Sequence, residues 1–273
     1  MEKMDFRFLK RRIKGKKNLS KLNDIKENYK SIFKECKIIK SKQLFNIKIG
    51  KYKIWLKEGT SSSSLMTYLE IFKEKVHMKK AGFSGKGNKV VIDVGGNEGY
   101  YVLKMKENNP NLKIITLEPV PSTFKLLKKN IESNKLKNVI LINKALTKKK
   151  GKLIFEIIPE VSAVCATNIK MQKRPWLDTK RIKKIIVKST TLIDLCKKLK
   201  IDKIDILKLD VEGSELEILK NSKPILNNIK KIVIEWHSEK LKRDCIKFLK
   251  KNGFKLVYQE KKICGDLYFI NSN

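Results

Sequence analysis

Val90-Val91-Ile92-Asp93-Val94-Gly95-Gly96-Asn97-Glu98-Gly99 decides the fold of this 273-residue chain. A short, almost wholly apolar run reads as a strand buried on both faces, and the stretch behind it, Glu98–Glu107, reads as a helix. The glycines between them let the backbone turn tightly and approach a ligand closely. The next apolar run, Leu112–Leu117, ends in Glu118, 25 residues beyond Asp93. A carboxylate there is placed to accept hydrogen bonds from the ribose hydroxyls of a nucleoside-containing cofactor.

The same alternation continues downstream. Ser122–Ser133 reads as a helix, Val139–Ile142 as a third strand, Gly151–Ile158 as an added hairpin strand, Thr191–Leu199 as a helix and Ile204–Leu209 as a strand. Ser214–Leu219 is helical, Lys231–Trp236 a strand and Glu239–Lys251 a helix, followed by Lys255–Tyr258 and Leu267–Ile270, which lie too close together for a helix between them. Short buried strands joined by helices predict an α/β fold built on a mostly parallel seven-stranded sheet, with helices on both faces and a C-terminal antiparallel hairpin. Upstream, residues 1–43 carry apolar positions at helical spacing, Phe45–Leu56 alternates around Gly50 as a β-hairpin does, and Ser61–Lys80 reads as a helix opened by a serine run. The expected division is an N-terminal helical and hairpin extension over 1–85 and a cofactor domain over 86–273. The stretch Pro159–Lys184, containing Arg174-Pro175-Trp176, is the least regular and reads either as a lid or binding loop or as a lysine-rich insertion.

The spacing of the glycine loop bears on the cofactor. A dinucleotide fingerprint runs G-x-G-x-x-G and cradles a pyrophosphate at the helix start. Here the run is G-G-x-x-G behind the acidic Asp93, and an acid beside a pyrophosphate is repulsive. S-adenosylmethionine offers an ammonium and a sulfonium instead, so Asp93, the loop and Glu118 favour the methyl donor over NAD; read structurally, the glycines would only make a tight turn.

Four ordered segments extend this reading: Asp93–Gly99, Glu118-Pro119-Val120-Pro121, Asn143-Lys144-Ala145-Leu146 followed by Gly151, and Lys208-Leu209-Asp210-Val211-Glu212-Gly213-Ser214-Glu215. Together they resemble the FkbM family of methyltransferases over roughly residues 88–237. The resemblance implies the Rossmann-like class I methyltransferase fold, S-adenosylmethionine as cofactor, and hydroxyl groups of sugars or natural products as acceptors. It implies donor-binding roles for Asp93, Gly95, Asn97, Gly99 and Glu118, to which the loop itself adds Gly96, and places Asn143 and Ala145 near the adenine. Gly96 departs mildly from the family, which commonly has Ala there.

Methyl transfer to an alcohol needs the nucleophile held in line and gains from a base. Asp210, Glu212 and Glu215 follow the strand Ile204–Leu209, while Glu235 and His237 close the next strand. Asp210, Glu212 and His237 are the catalytic candidates, with His237 the well-placed histidine. Each has a plainer reading. Glu215 suits a helix start through the dipole, Glu212 could hold the turn at Gly213, and His237 could be an ordinary strand-end residue. No metal site is assigned: the carboxylates are compatible with Mg²⁺, but sequence does not show the geometry. The five cysteines are scattered without a CxxC pair, against both a disulfide framework and structural zinc.

The formal net charge is +36, yet only six of the 64 basic residues are arginine. Phosphate readers favour arginine's planar fork, so a lysine excess spread over the whole chain looks compositional. Charge of this size still attracts polyanions. The acceptor that the resemblance implies is a hydroxylated small molecule, glycan or glycolipid. RNA methylated at the ribose 2′-hydroxyl is the alternative, and a noncatalytic protein on the same fold the third reading. With neither an apolar run long enough to span a bilayer nor a signal-peptide pattern, a cytoplasmic protein is expected, its basic N-terminus suited to peripheral contact with the inner face of an anionic membrane.

Overall fold

The structure is a computed structural model that describes residues 44–57, 61–158, 165–166, 179–260 and 265–272. The helices expected within 1–43 and most of Pro159–Lys184 lie outside the described residues. At the centre is β3 (Val90–Val94), flanked by β4 (Lys113–Leu117) and β10 (Ile206–Leu209), with β5 (Val139–Ile142) beyond β4 and β11 (Lys231–Trp236) beyond β10. These five strands are parallel. The sheet ends in β12 (Phe254–Gln259) and β13 (Gly265–Asn271), with β13 antiparallel to both β11 and β12, giving seven strands in the order β12-β13-β11-β10-β3-β4-β5. Strand order reverses between β3 and β10, and the crevice beyond their carboxyl ends is where such sheets bind ligands.

Period-two alternation splits the strands between two cores. Val91, Ile114, Ile206, Val233 and Tyr268 face α1 (Ser61–Phe72), α2 (Tyr100–Asn108) and α3 (Pro121–Ser133). Ile92, Ile115, Leu207, Ile232 and Phe269 face α4 (Leu192–Leu199), α5 (Glu215–Asn221) and α6 (Glu239–Lys251). Helix α6 begins where Ser238 Oγ accepts from Leu241 N at 3.2 Å, and α4 where Thr191 Oγ1 accepts from Asp194 N at 3.0 Å, each satisfying a free N–H of the first turn.

The hairpin expected around Gly50 is present as β1 (Leu44–Ile49) and β2 (Tyr52–Lys57). Its buried residues Ile47, Tyr52, Ile54 and Leu56 join the same core as α1 and α2. The outer edge of β2 is closed by side chains of α3. Asn134 accepts from Lys53 N at 2.9 Å and donates to Lys53 O at 2.8 Å. Asn130 Oδ1 accepts from Trp55 N at 2.6 Å, while its Nδ2 donates to Glu98 O at 2.9 Å. Two amides thus do for this edge what a neighbouring strand would do.

Beyond small shifts at the ends of other elements, three differences from the sequence expectation have a physical cause in the structure. Helix α1 stops at Phe72 instead of running to Lys80, because Lys75 and His77 adopt left-handed φ of 55° and 63° and the His77 N–H is taken by Asp266 Oδ2 at 2.7 Å. Helix α2 starts at Tyr100 and not Glu98, since Asn97 and Gly99 are left-handed at φ 46° and 91°. Glu98 is instead buried, accepting from Ser64 Oγ and Tyr100 Oη at 2.8 Å each. The third difference is β9 (Lys183–Thr190), which joins β6 (Ala145–Leu146), β7 (Gly151–Ile157) and β8 (Cys165–Ala166) in a second sheet ordered β6-β9-β7-β8. Lysines at 183, 184 and 188 mask its alternation.

Candidate active site

The glycine loop lies across the strand reversal. Gly95 N and Gly96 N both donate to Leu117 O, at 3.0 and 2.9 Å, drawing the loop over β4. On the other side Gly95, at φ 84°, touches the end of β10 so closely that a Cβ would stand 2.0 Å from Asp210 O. A Cβ on Gly96 would stand 2.1 Å from Thr116 Oγ1. Both glycines are there for close approach between backbone and neighbour, as well as for the turn.

Asp93 is fully buried beneath this loop. Its Oδ2 accepts from Thr116 Oγ1 at 2.8 Å and its Oδ1 faces Lys208 Nζ at 3.0 Å. Lys208 also donates to Gly95 O at 3.1 Å. The acid–lysine pair holds β3, β10 and the loop together, so the Asp93 carboxylate is spent inside the protein and supports the loop from below. Burial works against the Lys208 ammonium, but Asp93 and Asp210 outweigh it and raise its pKa.

Glu118 occupies the end of β4. Its Oε2 accepts from Asn97 N at 3.0 Å and its Oε1 from Val120 N at 2.9 Å. Burial lifts it to about 8 against these two bonds. Asn143 Nδ2 donates to Glu118 O and Pro119 O, at 2.8 and 3.1 Å, fixing the turn behind the carboxylate. Ala145, in β6, is buried with Val120, Phe155 and Val187. Asn97 Oδ1 is buried and accepts no hydrogen bond. An unfilled acceptor beside Glu118 fits a ligand bearing hydroxyl or ammonium donors, as S-adenosylmethionine does.

Past the ends of β10 and β11 the catalytic candidates do converge. His237 Nε2 stands 3.2 Å from Glu212 Oε2 and 4.0 Å from Asp210 Oδ1, and its Nδ1 stands 3.4 Å from Glu215 Oε1. The turn at Gly213 is held by Glu215, which accepts from Val211 N and Gly213 N at 3.2 Å. Glu212 is left-handed at φ 58°.

His237 is not the only histidine here. His77, from the segment behind α1, is buried against the same acids, its Nε2 3.8 Å from Asp210 Oδ2 and 3.9 Å from Glu235 Oε2. Its Nδ1 lies 2.8 Å from Asp266 Oδ1, and Asp266 also accepts from Tyr268 Oη at 2.8 Å. Sequence reading missed His77 because it belongs to no motif and sits 133 residues before Asp210. Its one signal was being one of only two histidines in the chain.

The charges settle accordingly. Burial disfavours charge on both imidazoles, yet Asp266 raises His77, and Glu212 with Glu215 raises His237 well above its ordinary value. Burial would raise Asp210, but Lys208, His77 and His237 hold it below the usual carboxylate range. Burial and the neighbouring Asp210 charge push Glu235 to about 8. The result is an ionised carboxylate ringed by proton-bearing groups, opening beside the glycine loop.

Comparison with known proteins adds the following. A family model described as the methyltransferase FkbM domain matches residues 93–256, more than half of the chain. Methyltransferase sdnD of Sordaria araneosa is 26% identical over 195 residues, 62% of this chain and 75% of that protein. The 2-O-methyltransferase NoeI of Sinorhizobium fredii is 24% identical over 213 residues, 71% and 84% of the two chains. Methyltransferase 1 of Beauveria bassiana is 26% identical over 141 residues, 48% of this chain, and the match spans 57% of its own length.

Proposed function

Because the chain belongs to the FkbM family of S-adenosylmethionine-dependent methyltransferases, we propose that it methylates a hydroxyl oxygen on a sugar, a glycan or glycolipid, or another small molecule. When bound, S-adenosylmethionine supplies a methyl group activated on a sulfonium; Gly95, Gly96, Asn97, Gly99 and Glu118 are the residues that would hold it, with Asp93 acting through the loop and Asn143 and Ala145 lining the adenine side.

One observation carries the reading: Asp210 touches Gly95 through its backbone while its carboxylate faces the histidine cup. Asp210 would receive the acceptor's hydroxyl hydrogen bond and hold its proton at the carboxylate as the oxygen takes the methyl group the donor would supply. Carboxylates lie close to both His237 nitrogens, so His237 with Glu212 shapes the cup and presents N–H instead of acting as base. Most of the rate comes from holding the hydroxyl in line. NoeI, a 2-O-methyltransferase by name, lends support to oxygen as the methylated atom. The ribose 2′-hydroxyl of RNA is the alternative acceptor, favoured by net charge, but the ionised Asp210 at the centre of the cup disfavours a phosphate beside it. Among the described residues no helix is long and apolar enough to cross a membrane; peripheral contact of the basic N-terminus with an anionic surface, where glycolipid acceptors reside, belongs to the same proposal.

The test is tritiated-methyl transfer into cell lysate separated into RNA, lipid-glycan and small-molecule fractions. Label should enter the last two, and Asp210→Asn should lower turnover by about 10²-fold or more while S-adenosylhomocysteine affinity changes only a few-fold. Label confined to RNA would overturn the acceptor class, and undiminished turnover in the variant would remove Asp210 from the chemistry.

A further inference from the structure

The structure assigns a divalent-cation site to His77 Nε2, Asp210 Oδ2 and Glu235, at the acceptor end of the cup. Ligand atoms each about 2.1 Å from one ion stand roughly 3 to 4.2 Å apart. His77 Nε2 lies 3.8 Å from Asp210 Oδ2 and 3.9 Å from Glu235 Oε2, and the three ligand atoms all fall within 4.8 Å of one another. The two His77 separations are too long for hydrogen bonds and suited to a shared ion, while Asp210 and Glu235 hydrogen-bond each other through a proton that an ion would displace.

A second observation is independent of the acids. The His77 side chain is only 5% exposed, and its single hydrogen bond is at Nδ1, to Asp266. Nε2 is thereby aimed into the cluster with no hydrogen-bond partner of its own. A carboxylate fixing one ring nitrogen so that the other points at an ion is the usual support of a metal-ligating histidine. Tyr268 Oη and the His77 N–H in turn hold the second oxygen of Asp266, so the support is itself fixed.

The other candidate group, Asp210, Glu212 and His237, is less suited. There His237 Nε2 already stands 3.2 Å from Glu212, and Nδ1 faces Glu215. Lys208 Nζ is 3.6 Å from Asp210 Oδ2, a cation next to the proposed ion, but Asp93 lies closer to it at 3.0 Å and matches its charge. One imidazole with two carboxylates selects a first-row transition dication such as Mn²⁺ over Mg²⁺ or Ca²⁺, which prefer oxygen alone. Resting on the methyl-transfer reading only for what the ion does, the site would bind and polarise the acceptor hydroxyl beside Asp210 Oδ1, the oxygen turned toward His237.

Mn²⁺ binding to the chelator-stripped full chain, followed by loss of the free-ion electron paramagnetic resonance signal, tests this. One Mn²⁺ per chain is expected, weakened at least tenfold by His77→Ala and by Glu235→Gln, and by Asp266→Asn through misorientation of the ring. Melting of each variant in chelator separates lost binding from lost fold, and Glu235→Gln changes a partly exposed group least apt to disturb folding. Absence of Mn²⁺ binding to the intact chain overturns the site. So does binding that survives His77→Ala and Glu235→Gln but is lost in Glu212→Gln. Calorimetry with S-adenosylhomocysteine on the same sample keeps the readings apart: a chain that binds Mn²⁺ without the nucleoside product loses the donor assignment and keeps the ion site.

Discussion

Glu118 carries a pH dependence of its own. A ribose hydroxyl donates to a carboxylate better than to a carboxylic acid, so binding favours the ionised form, while burial holds the free group protonated up to about 8. Proton loss must then accompany nucleoside binding, and affinity rises as pH rises toward that value. S-adenosylhomocysteine should bind about 25-fold tighter at pH 8.5 than at pH 6.5, since the free group is almost wholly protonated at the lower pH and mostly ionised at the higher. Glu118→Gln should bind weakly with a flat profile in the same calorimetric series; a wild-type profile without slope would place the ribose elsewhere. Gly95 makes a different kind of demand. Gly95→Ala forces a methyl against the Asp210 carbonyl oxygen in a backbone conformation that L residues avoid. It should cost about 2–4 kcal/mol in urea unfolding and separate the loop from the base it positions.

At the level of elements, the amide strap between α3 and the hairpin predicts coupling between parts of the chain far apart in sequence. Asn130 joins Trp55 N of β2 to Glu98 O of the glycine loop through one fully buried side chain. Asn130→Ala leaves both backbone groups unpaired and should destabilise by roughly 2–4 kcal/mol. Because one end of the strap is in the glycine loop, donor affinity should fall along with stability, whereas Asn134→Ala, whose bonds run to exposed Lys53 and to Asn130 O but not to the loop, should lose less of either. Comparing the two variants by denaturation and donor calorimetry checks it. Much at this scale was legible in the sequence. The central parallel strands announced themselves by apolar runs between glycine and polar punctuation, and Lys231–Trp236 and Glu239–Lys251 fall where periodicity puts them. Strand β9 did not, because its exposed face carries lysine and Ile186 instead of a clean polar set, and its partner β7 lies across the segment Pro159–Lys184. Local pattern also extended α1 past Phe72, since the event that ends it is a bond to Asp266, 189 residues away.

For the whole molecule, the +36 charge and the acidic cup act in opposite directions. Lysines cover the outside, while the carboxylates of the cup are matched from within, Asp266 by His77, Glu212 by His237 and Asp210 by Lys208, and leave no free cation there for a phosphate among the described residues. Polyanions should therefore bind the surface without engaging the cup. A random RNA oligonucleotide should lose about 10³-fold or more in affinity between 50 and 200 mM salt, without sequence preference, as expected of phosphate contacts alone. Filter binding against two unrelated sequences measures it, and a preference that survives salt would revive RNA as acceptor. The donor half of the site was legible from one contiguous motif and one acid. The acceptor half was only partly so, since Asp210, Glu212 and His237 share a strand-end pattern but His77 and Asp266 are joined by folding alone.

That joining has a consequence for how the protein comes into being. Residues 90–237 contain the glycine loop, Glu118, Asp210 and His237, so a growing polypeptide has the donor half of the site in hand once β11 and the residue after it have been made. The ring of His77, although synthesised long before, has nothing to hold it until Asp266 emerges and β13 slots between β11 and β12. Biosynthesis thus orders the two halves in time, and stalled chains released at residue 260 should retain the means to grip the donor but not to orient the acceptor.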